Sequence, residues 1–285
     1  MKLDGGAFLL QWATGGLFFT WVTTRRREVS LGYGWLMRIV FGLMALGATA
    51  VFLMDSATWA RTVAVVCSLA TAVAAGLALA VSVRRKAAGV KGREELRAQR
   101  RARVAAMVGT AADAAPDDRG PEFPPALNIV APVFGAIGLL AAAQFAGGPY
   151  LLAAARLLVG AAFLGSVTDA MLLGHWYLVQ PGLRRDPLKE LVVLCAIVWP
   201  FEILVFLWPT GMVQVWNGTI DDGYDGLLGW IWAACAVFTI GLIGFTWAAL
   251  RERYYSAVMS ATGLLYLAIL TAFGTDLIAR AVLRP

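Results

Sequence analysis

The chain is 285 residues long, 60% hydrophobic and 15% charged, with a formal net charge of +6 and one histidine. A mean hydropathy of +0.71 means more apolar surface than a water-soluble fold of this length can hide, so the medium is a bilayer. The excess positive charge lies at the ends of apolar runs and in one loop, where membrane topology puts it, which excludes nucleic acid as a partner.

About eight apolar runs follow one another, at roughly 7 to 24, 33 to 54, 58 to 83, 126 to 146, 150 to 180, 188 to 208, 226 to 250 and 255 to 279. A helix of ~20 residues crosses ~30 Å of hydrocarbon. Sustained low charge, without the polar and apolar alternation of transmembrane strands, predicts an all-α fold: a polytopic integral membrane helical bundle of about eight transmembrane helices. The first run has no basic leader and ends on Arg25, Arg26 and Arg27 in place of a small-residue cleavage site, so it reads as a spanning helix and not a signal peptide.

The connections alternate in charge. "TRRREVS", "RRKAAGVKGREELRAQRRAR", "GLRRDPLKE" and "LRERYY" are basic, whereas "LMDSAT", "AGGPY" and "GTIDDGYDG" are poorly charged or acidic. With every run counted as a span, the four basic connections share one side, which the positive-inside rule assigns to the cytoplasm of a bacterial inner membrane, with both termini outside. Residues 84–125 form the longest polar segment, basic first and then turn-rich through "AADAAPDDRGPEFPP". This basic loop divides the chain into a three-helix portion, 1–83, and a five-helix portion, 126–285. Its basic half suits contact with anionic lipid or docking of another protein subunit, as well as a plain solvated loop.

"RIVFGLMALG" from Arg38 and "RLLVGAAFLG" from Arg156 share an arginine followed by glycine at the fifth and tenth places. Three spans separate them, so a true repeat would be inverted, as in many transporters. Small residues at such spacings also let helices approach closely without any repeat.

Ionisable groups inside spans cost roughly 2.5 to 3.5 kcal/mol each on insertion scales, so each calls for a partner or a task. Arg156 and Glu202 fall at matching depth, ~10 Å below the outer surface, and are expected to pair between antiparallel helices. Pro200, two residues before Glu202, is expected to kink its helix and free a carbonyl. Asp169 is expected near the bilayer midplane without a cation, bonded to a hydroxyl such as Thr239 or Tyr266. Arg156, Asp169 and Glu202 together outline a substrate or ion pathway.

His175 lies about nine residues before Arg184, near the cytoplasmic boundary, beside Trp176 and Tyr177. These three can anchor the helix at the interface, bind a quinone headgroup or, at the imidazole, ligate a tetrapyrrole. His175 and Asp169, the candidate catalytic pair, are about 240° apart on their helix and face different directions. Cys67, Cys195 and Cys235 lie singly in apolar runs without metal-ligand spacing. "DDGYD" lacks a calcium-loop pattern, and "NGT" at Asn217 is a glycosylation sequon too short to be informative. No resident metal is expected.

Three functions remain. A membrane subunit of a larger redox or energy-conserving complex would place a quinone or proton site at Asp169 and His175. A proton- or ion-coupled transporter would use Arg156, Asp169 and Glu202. A structural subunit would use its buried polar groups only for packing.

Overall fold

The computed structural model describes residues 4–86, 98, 99, 102, 123–180, 183–252 and 254–283. Most of the basic loop, and with it the reading of that segment as a lipid or partner contact, lies outside these residues.

The described chain is helical throughout its apolar runs because hydrocarbon leaves a backbone amide no partner except another amide. The helices are α1 (Gly5–Thr24), α2 (Leu31–Leu53), α3 (Trp59–Arg84), α4 (Val130–Ala142), α5 (Tyr150–Val179), α6 (Asp186–Leu207), the short α7 (Met212–Trp216), α8 (Leu227–Arg251) and α9 (Tyr255–Val282). A 3-10 turn, Pro125–Ile129, leads into α4. Polar side chains cap the starts of two of them, α1 and α3. The Asp4 carboxylate accepts from the Ala7 amide at 2.9 Å, and Thr58 accepts from the Arg61 amide at 3.3 Å.

Among the described residues, seven helices are long and apolar enough to cross a membrane: α2, α3, α4 with its leading turn, α5, α6, α8 and α9. The protein is an integral, multi-pass helical membrane bundle. α1 stands apart from the seven. At 20 residues it has the length of a span, but it is rich in glycine and threonine and carries Gln11, and most of its surface is covered by other helices. Thr14, Thr20, Thr23 and Thr24 each donate to the carbonyl four residues back, which satisfies their hydroxyls inside the fold.

Two closed rings of four helices make up the molecule. α1, α2, α3 and α4 pack each against the next, and α4 returns to α1; α5, α6, α8 and α9 close in the same way. α4, which follows the basic loop in the chain, packs in the first ring against α3 and α1. The rings meet along α1 and α5. There Gly15 and Gly165 face each other so closely that a Cβ on Gly15 would sit 1.7 Å from the Ala161 carbonyl oxygen, and one on Gly165 would sit 2.2 Å from the Gly15 carbonyl carbon. Only glycine permits that approach.

α1 begins and α9 ends at the same end of the bundle, since Gln11 touches Asp276 and Arg280. Three basic connections meet at the opposite end. Arg25 and Arg26 pair with Glu190, Arg184 lies 3.8 Å from Glu28, and Arg185 donates to the Glu252 and Tyr254 carbonyls. The outward faces carry exposed Leu43, Leu151, Phe238, Phe245 and Leu270, as contact with lipid tails requires.

Candidate functional site: two buried polar clusters

The first cluster lies near the end of the bundle where α1 begins and α9 ends. Gln11, Arg156, Glu202, Asp276 and Arg280 are all buried. Gln11, Arg156, Glu202 and Asp276 are each five or six residues inside an end of their helix, hence roughly 8 to 9 Å below that end, and Arg280 is two residues from the end of α9. Asp276 and Arg280 stand one turn apart on α9 and form a two-pronged ion pair, Nε to Oδ2 at 2.6 Å and Nη2 to Oδ1 at 3.0 Å. Gln11 closes the triad: its side-chain amide donates to Asp276 Oδ1 at 3.3 Å and its carbonyl accepts from Arg280. Gly160 makes room for it, because a Cβ there would come within 2.4 Å of the Gln11 amide nitrogen.

Arg156 and Glu202 do occupy this level, but they do not pair. Arg156 donates from Nε to the Val205 carbonyl at 2.8 Å and from Nη2 to the Thr210 carbonyl at 2.7 Å, and its guanidinium stands 5.3 Å from the Phe206 ring centroid. The arginine caps the Val205 carbonyl in the last turn of α6, where cations are favoured, and the Thr210 carbonyl just beyond it. Neither carboxyl oxygen of Glu202 has a donor among the described residues; its charged neighbours are the Asp276 carboxyl, close enough to share a proton with it, and Arg280 and Arg156. Pro200 sits within α6, which continues past it to Leu207. Having no N–H, it leaves the Ala196 carbonyl without its helical donor.

The second cluster surrounds Asp169, which is fully buried. Its hydroxyl neighbours are not Thr239 or Tyr266. Tyr33 donates to Asp169 Oδ2 at 3.3 Å and Thr20 lies 3.5 Å from the same oxygen, while Oδ1 has no partner. Thr239 is bonded to Thr271 and Tyr266 to His175. The level also differs from the midplane expectation. Thr20 is four residues from the end of α1 and Tyr33 two residues into α2, so Asp169 lies nearer the end with the basic connections. α5, at 30 residues, overshoots the hydrocarbon, and counting along α5 alone misplaces its acid.

Close by, Arg38 reaches toward the same end. Its Nε donates to Asn128 Oδ1 at 2.9 Å, its guanidinium lies 4.6 Å from the Phe123 ring centroid, and Asn128 donates on to Thr24 at 3.0 Å. Nη1 of Arg38 is buried without a partner. Arg38 and Arg156 thus both direct their guanidinium groups toward carbonyl acceptors near opposite ends of the bundle.

His175, Trp176 and Tyr177 diverge around α5 and do not form one site. His175 is exposed on the outer surface between α5 and α9, where its Nδ1 is 3.2 Å from the Tyr266 hydroxyl. Trp176 turns inward, donating to Ser30 at 2.9 Å and packing against the Tyr33 ring. Tyr177 is buried, and its hydroxyl donates to the Arg184 carbonyl at 2.5 Å. Neither aromatic is a lipid-facing belt residue. A metal-bearing group at His175 would meet Nε2 alone, since Nδ1 is engaged with Tyr266 and no group of three metal-ligating side chains occurs among the described residues.

Gln11, Asp276 and Arg280, and Thr20 and Tyr33, are site residues that sequence reasoning passed over. The i, i+4 spacing of Asp276 and Arg280 in an apolar run was the readable signal for the first group. No family model, curated protein or solved structure matches the chain.

Proposed function

We propose that this protein is a proton-coupled membrane transporter whose two four-helix rings rock about the glycine crossing of α1 and α5. The observation that carries this reading is the pair of buried carboxyls with unpartnered oxygens, Glu202 and Asp169, one on each side of that crossing. A buried carboxyl without a bonded cation can hold a proton or receive a cation, and a lone unbonded oxygen is where either would arrive. Between the two acids the seam narrows to glycine backbone, so a carried proton would pass when the rings shift and not along a standing wire. Glu202, Arg156, Asp276 and Arg280 all belong to the second ring, whereas Gln11 of the first holds Asp276 and Arg280, and Thr20 and Tyr33 of the first hold Asp169. A shift of the rings would break these contacts and so change the proton affinity of both acids. This is the logic of alternating access around paired bundles.

The test is charge movement across purified protein in liposomes adsorbed on a solid-supported membrane, driven by a pH step with and without a panel of small solutes. Asp169→Asn and Glu202→Gln keep shape and remove the titrating proton. Each is expected to cut the transient at least tenfold at unchanged protein content. A silent wild type, or variants equal to it, overturns the reading.

A second reading rests on His175 and Tyr266, a paired imidazole and phenol open to the hydrocarbon at one outer face. That pair suits a quinol headgroup, and with it membership of a larger redox complex of the bacterial inner membrane with further protein subunits. Under it His175→Phe, and not Asp169→Asn, abolishes activity in the isolated complex.

A further inference from the structure

Outside the two clusters, the strongest feature is a groove between α6 and α8. It has a volume of about 370 Å³ and is lined from both helices, by Val193 and Ile197 of α6 and by Ile240, Ile243, Gly244 and Trp247 of α8 among others. A single water's share of liquid is ~30 Å³, so this is far larger than a packing flaw. Its walls are apolar and it opens toward the hydrocarbon, where water does not compete for it. The bond from Trp199 Nε1 to the Ala236 carbonyl, at 3.0 Å, joins α6 and α8 just beyond its deep end. From Ile240 to Trp247 the groove runs about 10 Å along α8, within the depth of one leaflet.

The mouth differs from the walls. Lys189 lies one turn before Val193 on α6, and Arg251 one turn after Trp247 on α8, with its guanidinium 5.8 Å from the Trp247 ring centroid. Neither forms an ion pair among the described residues. Arg185 fastens the adjacent loop through the Glu252 and Tyr254 carbonyls. Lys189, Arg251 and Arg185 thus stand at the end of the bundle where the basic connections gather, beside Glu252 and beside Asp186, which is paired with Arg184.

From this arrangement we infer that the groove binds one anionic phospholipid of the leaflet at the basic end, an acyl chain along α6 and α8 and the phosphate between Lys189 and Arg251. The apolar walls would accept any chain of that leaflet. Choice of headgroup falls to the two cations, each of which adds about fivefold in affinity for anionic lipid, or roughly 25-fold together.

The experiment is native mass spectrometry of the full chain, delipidated in detergent and then offered phosphatidylglycerol or phosphatidylcholine with identical chains. Wild type is expected to retain one phosphatidylglycerol with roughly 25-fold preference. The double variant Lys189→Gln, Arg251→Gln should bind both lipids alike. Gly244→Leu fills the groove from a position where a Cβ meets nothing within 4 Å, so the helix is kept and retention of either lipid should fall. Equal retention of the two lipids by wild type overturns the assignment, as does Gly244→Leu with undiminished binding. A stoichiometric protein chain or quinone displacing phosphatidylglycerol in material from native membranes overturns it too.

Discussion

Asp222 anchors the loop before α8. Its carboxylate accepts from the amides of Gly226 at 2.8 Å, Tyr224 at 2.9 Å and Leu228 at 2.9 Å, while the neighbouring Asp221 takes the Gly223 amide at 2.8 Å. Asp221 and Asp222 of "DDGYD" are thus turned on backbone donors ahead of a helix, which is the physical alternative to a cation site. Partial burial acts to raise the Asp222 carboxyl, and the amides of Gly226, Tyr224, Leu228 and Gly229 outweigh it, so the group titrates below the ordinary carboxylate range. A depressed native value means that the stabilisation is complete above the unfolded value of 3.8 and is lost as pH falls through the lower native one. Hydrogen exchange at the Tyr224, Gly226 and Leu228 amides, corrected for intrinsic rates, should show protection at neutral pH that disappears only below that range. Asp222→Asn should weaken it at every pH, and protection indifferent to both changes would refute the capping role.

Among the elements, the crossing of α1 and α5 is the most demanding. A methyl group on Gly15 would meet backbone, which cannot swing aside, whereas Gly76 on α3 has nothing within 4 Å of an added Cβ. Gly15→Ala should therefore destabilise by ~1 to 3 kcal/mol through overpacking. Gly76→Ala should be neutral or stabilising by about 0.5 to 1 kcal/mol through helix propensity. Thermal unfolding of the two variants in one detergent separates packing from propensity, and equal shifts would contradict the close crossing. Both glycines look alike in the sequence, since each is a small residue in an apolar run. Only the neighbour across the gap distinguishes them.

At the scale of the whole molecule, the two rings make the link between α4 and α5 the natural place to divide the chain. Gly147 and Gly148 there hold φ of 82° and 77° in an open turn, and each half contains one closed ring. Co-expressed halves 1–147 and 148–285 should co-purify in equal amounts. Either half alone should be lost to proteolysis or aggregation, because the polar contacts of the seam cross the cut: Thr20 and Tyr33 with Asp169, and Gln11 with Asp276 and Arg280. A half that is stable alone would show the seam to be weaker than these buried contacts imply.

The sequence alone determined the medium, the helical class, the approximate spans and the ends that share a side, because hydrophobic length and charge at helix ends are local properties that survive in any packing. It also placed Arg156 and Glu202 at one level, since depth follows from counting residues along a helix. Tertiary structure decided their partners. Arg156 turned to the carbonyls at the end of α6, Glu202 was left among Asp276 and Arg280, and Asp169 met Thr20 and Tyr33, because rotation about the helix axis and the identity of the facing helix are set by packing. The fate of "GHWYLV" was decided in the same way: three consecutive residues, spaced by ~100° on one helix, went to lipid, to α2 and to a loop carbonyl.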